Sequence, residues 1–160
     1  MTTARASSTQ TATVPASGIE TGKIVVRRTI AATVDELFDA WLEPESLAQW
    51  MRPGAIRPSS VKTDARVGGA FEVVMHYAEG PRRHHGEYRV IERNTKLVFT
   101  WYSDATHHTE TLVTVEFRPA SNGTEVVITH EQLPDEKVQA HNNGWTSALE
   151  KLDGQYGSKA

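Results

Sequence analysis

The chain has 160 residues, a formal net charge of −3, a pI near 6.2 and no cysteine. That length suits one domain with a real core, and mild acidity offers no basic face for nucleic acid. The missing cysteine excludes disulfides, a thiolate nucleophile and any thiolate metal site. It also fits a reducing compartment, so a cytoplasmic location is expected, and no apolar run approaches the roughly 20 residues of a bilayer span.

The N-terminus, MTTARASSTQTATVPASG, is rich in Ser, Thr and Ala and lacks the apolar middle of a secretory signal. It has no acid before Glu20, as in an organelle transit peptide, but Arg5 is its single positive charge. Residues 1–20 therefore read as a disordered tail, 21–157 as the domain and 158–160 as a second tail. The β-branched stretch Lys23–Ile30 reads as a strand. Thr33 and Glu36 then form a capping box that starts a helix carrying Leu37, Phe38 and Trp41. Glu43-Pro44 breaks it, and Pro44 opens a second short helix through Leu47 and Trp50.

Six strands follow, near Ser59–Arg66, Gly69–Tyr77, His84–Arg93, Lys96–Ser103, Glu110–Pro119 and Thr124–Gln132. Gly68-Gly69, Gly80-Pro81, Asn94-Thr95 and Ser121-Asn122-Gly123 supply turns, which makes neighbours antiparallel and places Arg82-Arg83 at an exposed hairpin tip. After Pro134 the period becomes helical, with Val138, Trp145, Leu149, Leu152 and Tyr156 on one face. Gly144 interrupts that helix, which close approach to another backbone would explain. Strands followed by a packed helix make an α+β domain.

Alternation fixes the inward side of the sheet. Phe71, Val73, Met75 and Tyr77 share one face; Gly86, Tyr88 and Val90 oppose Glu87 and Arg89; Phe99 sides with Trp101. Val113, Val115 and Phe117, and Val126, Ile128 and His130, complete the set. Apolar walls carrying a few polar tips (Tyr77, Tyr88, Trp101 and His130) describe either a small-molecule pocket or a filled core with satisfied polar groups.

The histidines do not suggest a metal site. His84-His85 are strand neighbours and point to opposite faces, His107-His108 fall in a polar loop, and only the fold could bring His84, His130 and His141 together. His130 is the best candidate for acid–base chemistry, against the plainer reading of a histidine bonded to backbone. No G-x-S-x-G, Walker A loop or G-x-G-x-x-G is present, and no cofactor is called for.

Six segments in order carry a family resemblance: TVDELFDAWLEPESLAQWM at Thr33–Met51, VGGAFEVVM at Val67–Met75, GEYRVIERNTKLVFTW at Gly86–Trp101, TLVTVEF at Thr111–Phe117, GTEVVITHEQL at Gly123–Leu133 and GWTSALEKL at Gly144–Leu152. The chain resembles the activator of heat-shock protein 90 ATPase-like branch of the START-like (SRPBCC) superfamily. The resemblance implies the helix-grip fold of the birch-pollen allergen, a curved antiparallel sheet around a long C-terminal helix. It implies that Trp145, Leu149 and Leu152 close one side of a cavity and that Trp50 lies near its end, with Met51 where many relatives have a second aromatic residue.

The expected function is binding of a hydrophobic or amphipathic small molecule of lipid, polyketide or aromatic type. Tyr77, Tyr88, Trp101 and His130 would orient it, and Val73, Met75, Val115, Phe117, Trp145 and Leu149 would supply apolar contact. One alternative is a cyclase- or hydrolase-like enzyme using a pocket His or Tyr. Another is a chaperone-interaction module, which would need an exposed apolar patch. Partners beyond the ligand are not expected, apart from a second copy in a homodimer.

Overall fold

The computed structural model describes residues 18–53 and 57–157. In chain order the elements are β1 (Gly18–Glu20), β2 (Lys23–Ile30), α1 (Val34–Ala40), α2 (Pro44–Trp50), β3 (Ser60–Thr63), β4 (Ala70–Tyr77), β5 (Gly80–Glu92), β6 (Lys96–Trp101), β7 (Thr111–Ala120), β8 (Gly123–Glu131) and α3 (Val138–Tyr156). The strands form one antiparallel sheet in the order β1-β2-β8-β7-β6-β5-β4-β3. The long C-terminal helix, two short helices and curved sheet make this the helix-grip fold.

The capping box forms as read: Glu36 N donates to Thr33 Oγ1 at 3.1 Å, and Thr33 N donates to Glu36 Oε1 at 3.4 Å. α3 packs against β2 and α2, where Arg28 pairs with Asp153 and Ser46 Oγ lies 2.8 Å from the Tyr156 hydroxyl. All four tryptophans fall in one chain of ring contacts, Trp50 to Trp41 at 4.7 Å, Trp41 to Trp145 at 5.9 Å and Trp145 to Trp101 at 5.3 Å.

β5 makes the curvature. Its first half pairs with β4 and its second with β6, with a bulge between Tyr88 and Val90. At the bend Gly86 lies so close to β6 that a Cβ would stand 1.9 Å from the Thr100 carbonyl oxygen. Only a residue without a side chain fits there.

Three readings need correction. Gly18–Glu20, placed in the tail, pairs with β2; a three-residue strand carries too little pattern to see in sequence. Residues 1–17 and 158–160 lie outside the described residues. The β4–β5 turn is Ala78-Glu79, so Gly80-Pro81 and Arg82-Arg83 lie within β5. The bulge adds one residue, which reverses the faces beyond it: Ile91, not Val90, joins the core.

Candidate functional site

The interior has two parts. Beneath the sheet bend, Trp41, Phe71, Tyr88, Phe99 and Trp101 close on one another and leave a void of about 10 Å³, no larger than one water. Phe71 and Phe99 meet edge to face at 5.2 Å, and Tyr88 lies 5.4 Å from Phe71. Burial raises the Tyr88 phenol's pKa, so it stays protonated.

The second part is a cavity of about 410 Å³, within the range of small-molecule sites. Met51, Arg52 and Pro53, just past α2, form one rim. Met75 and Tyr77 from the end of β4, with Arg82 and His84 from β5, form the opposite wall; Trp101 and Ala105 contribute beside them. One face of α3 makes the roof, with Ala140, His141, Gly144, Trp145, Ser147 and Ala148 at helical spacing. The roof is built largely of small residues, which is why space remains. A Cβ on Gly144 would meet nothing within 4 Å, so this glycine borders open volume rather than another backbone, contrary to the reading from sequence.

The cavity takes Met75, Tyr77, Trp101 and Trp145 from the residues expected to contact ligand. The others lie elsewhere. Trp50 is fully buried and donates its indole to the Ala40 carbonyl at 3.2 Å. Val115, Phe117 and Leu149 belong to the solid core, and Val73 and Tyr88 line only the small void. Sequence reasoning missed His84, His141, Arg52, Arg82 and the small face of α3 as wall residues. The spacing of Ala140, Gly144 and Ala148 was the available signal.

His130 is not placed for catalysis. It is fully buried, and Trp145 Nε1 donates to its Nδ1 at 3.0 Å. An indole can only donate, so Nδ1 accepts and the ring proton sits on Nε2, 2.8 Å from Thr111 Oγ1. Thr111 passes its own proton to the Trp101 carbonyl at 2.6 Å. Every polar atom of this relay is occupied. Burial, with His141 nearby, pushes the His130 pKa well down and keeps the ring neutral. Its role is to hold Trp145 against Trp101.

His84 and His141 do face the cavity. His141 Nδ1 donates to the Lys137 carbonyl at 2.9 Å, and His84 Nδ1 lies 3.4 Å from the Val73 carbonyl. The Lys137 carbonyl places the His141 proton on Nδ1 and leaves its Nε2 as an acceptor, while His84 has the Val73 and Arg82 carbonyls as its backbone acceptors. Burial pushes His84 down to about 4 and lowers His141 as well. Two neutral imidazoles therefore line this wall, able to accept hydrogen bonds or a proton. The fold brings the rings of His84 and His130 against Trp101, and His141 meets His130 edge-on at 5.1 Å. Even so, among the described residues no group of three or more ligands could hold a metal ion.

Tyr77 presents a hydroxyl whose one bond, to Met75 Sδ at 3.7 Å, is weak. Arg82 lies over the Tyr77 ring at 4.5 Å, and Arg52 donates Nε to the Gln49 carbonyl at 2.9 Å. No described helix is long and apolar enough to cross a membrane.

The shape is shared with solved structures. Protein CV1439 from Chromobacterium violaceum is 26% identical, with a TM-score of 0.71 over 84% of this chain and 96% of its own. A Rhodobacter sphaeroides protein has a TM-score of 0.75 at 24% identity, covering 86% of this chain and 94% of its own. DynU16, a protein in the dynemicin biosynthetic locus, has a TM-score of 0.70 at 18% identity over 83% of this chain and 46% of its own. Among curated proteins none matches the sequence. The profile of one family spans residues 31–156, from the end of β2 to the last residue of α3. The chain therefore belongs to the family described as Activator of Hsp90 ATPase homolog 1-like protein.

Proposed function

We propose that the protein binds a hydrophobic or amphipathic small molecule in the cavity between α3 and the β4–β5 hairpin. The observation that carries this is the 410 Å³ of space under a helix face of Ala140, Gly144 and Ala148, backed by Met75, Trp101 and Trp145. Burying about 200 Å² of ligand apolar surface contributes on the order of 5 kcal/mol before association costs. Micromolar affinity then requires polar contacts, and Tyr77, His84, His141 and Ser147 are at hand. DynU16, which shares the fold, belongs to a biosynthetic locus, consistent with a small organic guest.

The chaperone-interaction reading has less support. Among the described residues Val67 is the one large hydrophobic side chain left exposed, and a docking surface needs a contiguous patch. The enzyme reading loses His130 as its base and would have to use His84 or His141.

The test is titration with neutral phenylnaphthylamine, read by its fluorescence and by quenching of Trp101 and Trp145. Saturable one-site binding that Gly144→Leu abolishes, with the unfolding transition intact, is the expected result. Absence of saturable binding, or binding indifferent to Gly144→Leu, would overturn the proposal.

A further inference from the structure

The charged side chains that line the cavity are all of one sign. The chain carries 20 acidic and 17 basic residues, yet the lining includes Arg52 and Arg82 and no carboxylate. The two arginines come from different elements, one just past α2 and the other on β5, and converge on the same cavity. Arg52 has no ion-pair partner among the described residues, its Nε being committed to the Gln49 carbonyl, which leaves the terminal guanidinium nitrogens as donors. Glu79 approaches Arg82 only at 3.9 Å, and both side chains are at least half exposed; such a pair holds its partner weakly.

A third cation stands behind the rim. Lys151 donates to Ser147 Oγ at 2.8 Å, and Ser147 lines the cavity. Burial and the charge of Arg52 both work against protonation of Lys151, and the carboxylate of Glu150, its neighbour in sequence and not a lining residue, offsets them only in part. Like charges gathered at the rim of an apolar space favour whatever anion can enter. Tyr77 adds a neutral donor at the same wall, since burial raises its pKa.

We infer that the guest is an anionic amphiphile: an apolar ring or chain against Met75, Trp101 and Trp145, ending in a carboxylate or similar oxyanion held by Arg52 and Arg82. This rests on the cavity being a binding site, as proposed above, and adds the charge of the ligand and the residues that read it. Arginine suits the task because its planar fork gives two parallel bonds to one oxyanion.

Two probes separate the ideas: neutral phenylnaphthylamine and anilinonaphthalene sulfonate, the same ring system with an added sulfonate. The sulfonate should bind at least about tenfold more tightly at low salt, as one charge-assisted contact allows. Arg52→Gln and Arg82→Gln should each weaken the sulfonate about tenfold while shifting the neutral probe less than about twofold. Arg89→Gln, on β5 beside Glu87 and away from the cavity, should change neither. Equal affinities for the two probes, or arginine variants that affect both alike, would overturn the anionic assignment and leave the cavity proposal standing. Failure of both probes to bind would overturn both.

Discussion

Two glycines mark the two ends of the interior. At Gly86, under the sheet bend, an added methyl group would stand 1.9 Å from a backbone oxygen; at Gly144, on α3, it would meet nothing within 4 Å. One end is closed by backbone crossing backbone and by large rings filling the remainder. The other stays open because the helix meets the hairpin largely through small side chains, Ala140, Gly144, Ser147 and Ala148. The same sheet and helix serve both, and Met51 and Trp101 line both ends, so one core carries a packed half and a hollow half across a shared wall.

Breaking the closed end should give the largest effect. Phe99→Ala removes a ring in contact with Phe71, Trp41 and Tyr88, and should cost about 3–5 kcal/mol in urea denaturation. Gly86→Ala should cost about 3 kcal/mol, at the upper end of ordinary overpacking, because the atom it meets is backbone and cannot turn aside. A variant as stable as the parent would show that the bend tolerates a side chain.

Acid should act on the wall between the two ends. His84 is held near 4 when folded against about 6.5 unfolded, so the unfolded chain binds the extra proton between those values. Its stabilisation is complete above pH 6.5 and is lost as pH falls toward 4, on the order of 3 kcal/mol for this residue. His130 and His141 shift in the same direction. The carboxylates of Asp39, Glu72 and Glu136, lowered by Arg93, Arg83 and His107 respectively, add losses of the same sign mainly at the acid end of this window and below it. Urea midpoints measured at pH 7, 5.5 and 4.5 (chosen to span about this window) should fall steadily, and flat midpoints would contradict a buried neutral His84.

Thr111→Val keeps the shape of the relay and removes its hydroxyl. It should cost about 1–3 kcal/mol by leaving His130 Nε2 without an acceptor, and the tryptophan fluorescence should report a loosened Trp145. The smallest effect has the opposite sign. Gly144→Ala should stabilise the protein by up to about 1 kcal/mol, since the site is helical and unobstructed. Destabilisation there would mean that the helix lies closer to its neighbours than the open volume indicates.

Particular residues show what could be read in advance. Phe71, Val73, Val113, Val115, Phe117, Val126 and Ile128 alternate without ambiguity, and each is buried as read. Val90 and Ile91 are apolar neighbours, so their parity is undefined in sequence, and the bulge decided it. His130 is inward as its parity demands, but parity does not reveal that the indole of Trp145, from another element, occupies its Nδ1. Arg52 and Arg82 belong to segments with no periodic signal, and nothing local indicates that they line one cavity.

Sequence alone determined the order of the elements from β2 onward, the inward face of most strands and the family, because period, caps and turns are local properties that each segment carries with it. Tertiary structure decided where the interior is solid and where it is hollow. That depends on which side chains from distant elements meet and on their combined volume, a sum that no single segment contains.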